Sequence, residues 1–88
     1  MRSKNPIHPG EILLEEFLVP KGVSQRAFAT EIGWTVTRLN ELIKGKRGVS
    51  ADSALDLAAA LGTTPEVWMN LQAAYDLDAA KKRRKKAS

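Results

Sequence analysis

The sequence predicts an all-α domain built from five helices. Apolar residues recur at three- and four-residue spacing in five separate stretches. A residue suited to starting a helix stands before each stretch: Pro9, Ser24, Thr35, Ser50 and Thr64-Pro65. A glycine follows each of the first four, at Gly22, Gly33, Gly45 and Gly62. No strand-type alternation and no internal repeat competes with this reading.

The elements follow in order. Residues 1–8 lack periodicity and read as an N-terminal arm. Leu13 and Phe17 lie four apart, as do Leu14 and Leu18, with Glu11, Glu15 and Glu16 among them. This predicts an amphipathic helix from about Gly10 to Leu18, its acidic first turn suiting the positive end of the helix dipole. Pro20 is expected to push Val19 out of helical geometry and end the helix. Ser24 caps a second helix reaching Ile32, with Phe28, Ala29 and Ile32 on one face and Val23 able to staple onto Phe28. Thr35 caps a third, whose buried stripe is Leu39, Leu42 and Ile43. Lys46-Arg47-Gly48 is a short basic loop. Ser50 caps a fourth helix, with Ala54, Leu57, Ala58 and Leu61 at helical spacing. Thr64-Pro65-Glu66 opens a fifth, carrying Val67, Trp68, Leu71 and Tyr75 and able to run on through Ala79 and Ala80. The chain thus divides into an arm (1–8), a helical domain (9–80) and a basic tail (81–88).

Composition bounds the chemistry. At 88 residues the chain is one small domain. It has no cysteine and a single histidine, His8, which excludes disulfides, thiol nucleophiles and a histidine metal cluster. No metal or cofactor is expected, and no catalytic constellation is visible. No apolar run approaches the roughly 20 residues that span a bilayer. The polar start, with Pro6 and Pro9, lacks a signal-peptide pattern, so the chain is expected in the cytoplasm, away from membranes. The net charge of +4 is misleading as a guide to function. Six of the 14 basic residues are Lys81 to Lys86, so residues 1–80 hold 8 basic against 10 acidic residues, a net of −2. A nucleic-acid argument from charge therefore covers the tail alone, and the domain must make its own.

That case rests on the second and third helices. Ala29 is small enough for two helices to cross closely, Gly33 takes a tight turn, and Ile32 and Leu39 lock the crossing. Gln25, Ala29, Gly33, Leu39 and Gly45 together read as a helix-turn-helix. Helix three would lie in the major groove with its N-terminal residues on base edges.

Beyond that unit, the runs His8-Pro9-Gly10-Glu11-Ile12-Leu13, Glu15-Glu16-Phe17-Leu18, Ser24-Gln25, Arg38-Leu39-Asn40-Glu41, Gly45-Lys46-Arg47-Gly48, Ala60-Leu61-Gly62-Thr63 and Trp68-Met69-Asn70-Leu71-Gln72 resemble the HigA-type antitoxins, a branch of the lambda-repressor-like (XRE) helix-turn-helix proteins. The resemblance covers about residues 7–78. It implies a five-helix lambda-repressor-like fold and a dimer that binds a small basic mRNA-cleaving toxin of the RelE/HigB type. It also implies repression of the protein's own operon. The alternative is a stand-alone XRE repressor with no toxin partner. Two positions depart from the family pattern. Val36 stands where relatives often carry a polar or basic residue, and Trp34 fills a turn position usually held by a smaller apolar one. The basic tail is not part of the pattern.

Site residues follow from side-chain chemistry. Thr37, Arg38 and Asn40 are expected to face the groove, since Arg pairs with guanine and Asn with adenine, while Val36 can pack on a thymine methyl. For Arg38 the open alternatives are a phosphate or an ion pair with Glu41 or Glu31. Gln25, Thr35, Lys44, Lys46 and Arg47 are expected on phosphates of double-stranded DNA. Trp68, Leu71 and Tyr75 form one stripe on helix five, expected to be part core and part homodimer interface. A two-fold dimer implies a palindromic operator. Glu11, Glu15 and Glu16 read either as a solvated helix face or as the surface that meets the basic toxin. His8 is expected to support the start of helix one. The tail reads either as sequence-independent attraction to nucleic acid or as a protease handle.

Overall fold

The computed structural model describes residues 6–87, with Ala87 as backbone only. Residues 1–5 of the expected arm, and Ser88, lie outside the described residues. Five helices are present and no strand occurs among the described residues. Helix α1 is continuous from Pro9 to Lys21 in three stretches: Pro9–Ile12 is α-helical, Leu13–Leu18 is π-helical and Val19–Lys21 is α-helical again. Then come α2 (Gln25–Ile32), α3 (Val36–Ile43), α4 (Ala51–Leu61) and α5 (Pro65–Ala87).

Local chemistry sets most boundaries. Ser24, Thr35, Ser50 and Thr64 each accept a backbone N–H from the residue three further on, at 3.0, 3.1, 3.2 and 3.3 Å. Such a cap contributes about 1 kcal/mol to its helix. The end of α1 departs from expectation. Val19 keeps helical geometry and the helix passes through Pro20. The π-helical stretch explains this: the Val19 N–H reaches back five residues to the Leu14 carbonyl. The wider turn moves aside the carbonyl that the proline ring would strike in a regular α-helix.

The turn between α2 and α3 is a left-handed glycine cap. Gly33 sits at φ 76°, a region that glycine enters without strain. The Trp34 N–H donates to the Ala29 carbonyl at 2.9 Å and the Gly33 N–H to Thr30 at 3.3 Å. This pairing pattern calls for an apolar residue just after the glycine, which accounts for Trp34. The indole is buried against the same core as Phe28 and Ala29.

All five helices contribute to one core. Leu13, Leu18, Leu39, Leu42, Leu57 and Trp68 are fully buried in it, with Ala29 and Ala54 at the close crossings. Phe17 leans on Trp68 with ring centroids 5.7 Å apart. Two polar ties fix α5: Trp68 Nε1 donates to Thr63 Oγ1 at 2.8 Å, and the buried Gln72 accepts the Val49 N–H at 2.7 Å. Gln72 thereby pins the loop that follows α3.

The tightest contact is at Gly10, whose backbone lies on the C-terminal end of α3. A Cβ there would stand 2.8 Å from Ile43 Cα and 2.6 Å from the Leu42 carbonyl carbon, with the carbonyl oxygen closer still. These are backbone atoms and cannot rotate away. Gly10→Ala should therefore cost at least about 3 kcal/mol, the upper end of overpacking. In a domain this size that lowers Tm by more than about 10 °C. Thermal unfolding by circular dichroism checks this, and an unchanged Tm contradicts the packing described.

Candidate nucleic-acid interface

Helices α2 and α3 cross at Ala29 and Leu39, neither of which exposes any surface. The opposite side of α3 is left to solvent. Val36, Thr37 and Lys44 are exposed, and Asn40 and Glu41 are half-buried. Thr37, Asn40 or Glu41, and Lys44 stand three and four residues apart, so they share one side of the helix. The groove-facing group expected from sequence is thus brought together, with one exception.

That exception is Arg38, which points the other way. Its guanidinium lies 3.9 Å from the centre of the Trp34 ring and donates to Ser53 Oγ at 2.9 Å. Trp34 in turn donates from Nε1 to Asp56 Oδ2 at 2.9 Å, and Ser53 Oγ accepts from Ser50 Oγ at 3.0 Å. The expectation that Arg38 meets bases is therefore corrected. Two positions before Asn40, Arg38 falls on the side of α3 that faces α4, and its charge is spent holding the turn. Stacking a guanidinium on an indole contributes about 0.5–2 kcal/mol depending on desolvation, and the hydrogen bond adds to it.

The rim of the face is polar. The Asn40 amide donates to Gln25 Oε1 at 3.2 Å, linking the two helices. Gln25 keeps its own NH2 free of that bond, and Asn40 keeps its carbonyl and a second N–H. The Thr35 hydroxyl accepts the Arg38 N–H as helix cap and keeps its proton to donate. Arg47 donates from both Nε and NH2 to Glu41 Oε1, at 3.2 and 2.7 Å. With both side chains partly open to solvent, such a pair contributes only about 0.2–1 kcal/mol, so a phosphate can displace it. Lys46 is exposed in the same loop, and Arg26, which sequence reasoning passed over, is exposed in the first turn of α2.

On α5 the expected division of the stripe into core and interface falls mainly to the core. Trp68 is 1% exposed and belongs to the core, so it has no surface to offer a second copy. Leu71 is partly buried against the core, and Tyr75 sets its ring edge-on to His8, centroids 4.8 Å apart. The exposed apolar side chains lie elsewhere. Leu55 (57%) and Met69 (38%) line a shallow depression with Ala51, Pro65, Glu66 and Asn70, between α4 and the start of α5. In sequence, Leu55 breaks no periodicity and Met69 sits beside the more conspicuous Trp68, so neither stood out. On α1, Glu11, Glu15 and Glu16 are all exposed.

His8 joins three elements. Its Nδ1 accepts the Gly10 N–H at 2.9 Å and so caps α1, as expected of a residue supporting that helix. That bond requires the neutral ring with its proton on Nε2. Burial lowers the imidazole pKa, outweighing the upward pull of Asp76, the Arg47 backbone and Glu11. Among the described residues no group of His, Cys, Asp or Glu is placed to hold a metal ion, and no helix is long and apolar enough to cross a membrane.

Comparison with known proteins adds to this geometry. The helix-turn-helix family profile matches residues 14–68. Antitoxin HigA-1 of Vibrio cholerae is 45% identical over 76 residues, covering 85% of this chain and 70% of that protein. A solved structure of Pseudomonas aeruginosa antitoxin HigA with the higBA promoter is 38% identical, with a TM-score of 0.89 over 94% of this chain and 90% of that one. Antitoxin GraA in complex with its operator is 44% identical, with a TM-score of 0.86 over 99% of this chain and 88% of its own.

The His8 cap makes stability depend on pH. Its pKa in the folded chain lies below the roughly 6.5 of an unfolded histidine, so the unfolded chain takes up the proton first. The cap's contribution is therefore complete above about pH 6.5 and is lost as pH falls through the folded value. Thermal melts from pH 8 to 5 should show wild type losing Tm faster than His8→Asn, which keeps a cap acceptor but does not titrate. Parallel curves would contradict this role.

Proposed function

The chain belongs to the helix-turn-helix family and, within it, to the HigA-type antitoxins, and from that membership we infer a DNA-binding autorepressor that also neutralises a toxin. The observation that carries the DNA-binding half is the exposed side of α3. Val36, Thr37 and Asn40 meet base edges there. Gln25, Thr35, Lys44, Lys46 and Arg47 take phosphates around the rim, with Arg26 beside them. Phosphate contacts set register and base contacts set sequence. Val36 cannot hydrogen-bond, so it selects a thymine methyl by packing. Arg38 reads no base. It fixes the angle at which α3 enters the groove.

Two copies act together across a two-fold axis. The Leu55–Met69 depression supplies an apolar surface for the second copy, in place of the stripe on α5. Recognition helices in such a dimer lie about one DNA turn, or roughly 34–36 Å, apart, and the operator is palindromic. Leu55→Glu with Met69→Glu should give a folded monomer by sedimentation, with at least about tenfold weaker operator binding. A variant that remains dimeric would contradict the assignment.

The toxin meets the acidic side of α1. Glu11, Glu15 and Glu16 present three carboxylates from the solvent side of one helix, and a basic RNA-cleaving protein is steered by that field. The protein is not proposed as an enzyme, and cytoplasmic residence follows from this role.

Expressing the tagged chain with each neighbouring gene in turn tests the reading. A small basic protein that co-purifies stoichiometrically and blocks translation when freed supports it. A chain that purifies alone as a dimer and shifts its own promoter would leave a plain repressor. With the partner in hand, converting Glu11, Glu15 and Glu16 together to Lys should abolish its binding and leave the promoter shift intact. Equal loss of both, or of neither, would remove α1 from the toxin surface.

A further inference from the structure

The last turns of α5 are the most highly charged part of the molecule. Helix α5 is unbroken from Pro65 to Ala87. Lys81, Lys82, Arg83, Arg84, Lys85 and Lys86 are therefore carried on a helical rod continuous with the domain, and all six are exposed. One of them, Lys82, pairs with Asp78 at 3.1 Å, the last acidic residue in the sequence. Beyond it the helix packs like charges three and four residues apart, such as Lys81 with Lys85 and Lys82 with Lys86. That arrangement disfavours the helix, although the negative end of its dipole partly offsets the repulsion. A polyanion alongside removes the repulsion altogether.

The position of this segment follows from two contacts. At its start α5 carries Pro65 and Met69 in the apolar depression assigned to the two-fold contact. Ten residues on, Tyr75 and Asp76 lie beside the Gly45–Gly48 loop that holds Lys46 and Arg47. The basic residues begin six residues after Tyr75, about 9 Å further along the axis, and end at Lys86, about 16 Å beyond Tyr75. The rod thus leaves the dimer centre, passes the phosphate-binding loop and continues outward.

We propose that the basic end of α5 is a second DNA-binding element, which grips the phosphate backbone of duplex outside each half-site. This rests on the operator-binding reading above and extends it. Its contacts are charge-based, so they lengthen the footprint and strengthen binding without reading flanking sequence.

The test compares two duplexes. One is the minimal operator, the stretch that a footprint shows protected by a chain whose six basic residues 81–86 are replaced by glutamine. The other carries about ten more base pairs of arbitrary sequence on each side, about one further helical turn. The protein is the full chain, either wild type or with Lys81→Gln, Lys82→Gln, Arg83→Gln, Arg84→Gln, Lys85→Gln and Lys86→Gln. Glutamine keeps helix propensity and removes charge, and circular dichroism confirms that both chains fold. Wild type should bind the longer duplex about tenfold or more tightly. Its salt slope there should be steeper by about 0.9 per added phosphate contact, or roughly two to three units in all. The glutamine chain should bind both duplexes alike, with the shorter-duplex slope.

Equal wild-type affinity for the two duplexes overturns the proposal, as does a flank effect that survives in the glutamine chain. Preference of the wild-type segment for single-stranded RNA over the longer duplex also overturns it. If neither chain binds the short duplex, the operator reading itself fails and takes the proposal with it, which separates the two failures.

Discussion

Helix α3 has eight residues, too few to persist in water on propensity alone. Its place in the molecule is set by what surrounds it, and that dependence organises the fold. Gly10 lets the backbone of α1 lie on its C-terminal end, where any side chain would collide with Leu42 and Ile43. At its other end, the Trp34–Asp56 and Arg38–Ser53 bonds tie the turn to α4. The loop that follows is held by Gln72 from α5. The remaining side, which no element covers, is the one proposed to meet DNA. Function here is the surface left over once a short helix has been fixed from three directions.

The contrast between Arg38 and Arg47 shows how magnitudes assign roles to residues of one type. Arg47 has one exposed carboxylate partner, and the strong field of a nearby phosphate competes well with it. Arg38 has an aromatic face beneath it and a buried serine at its tip, so leaving costs two interactions and disturbs a third at Trp34. One arginine is available to a ligand, and the other is part of the frame. The two family departures, Trp34 and Val36, divide the same way. Trp34 is buried as the apolar residue its glycine turn requires, and Val36 is exposed on the solvent side of α3, the face proposed to meet DNA.

Helix periodicity, capping residues and glycine stops made five helices and nearly all their boundaries legible in the sequence, because those signals are local. The helix-turn-helix was legible for the same reason. Reading failed where a distant partner decided the outcome. Pro20 was expected to end α1, and a π-helical stretch upstream accommodates it. Arg38 and Trp68 carry functional-looking side chains, but Ser53 and Thr63 claim their polar atoms. The close approach at Gly10 left no trace in hydropathy. Leu55 and Met69 became visible only when burial separated exposed apolar residues from core ones.

The central claim is that α3 is framed by Arg38 and reads DNA through Thr37 and Asn40. Binding to a set of operators, each changed at one base pair, measures it directly in Thr37→Ala, Asn40→Ala and Arg38→Gln chains. Loss of discrimination at one or two base pairs, at about 1–3 kcal/mol each, is predicted for the Thr37 and Asn40 variants. The Arg38 variant should weaken every operator by a similar factor and leave the pattern of preference intact. Relaxed preference at a single base pair in the Arg38 chain, with Thr37 and Asn40 silent, would contradict the account.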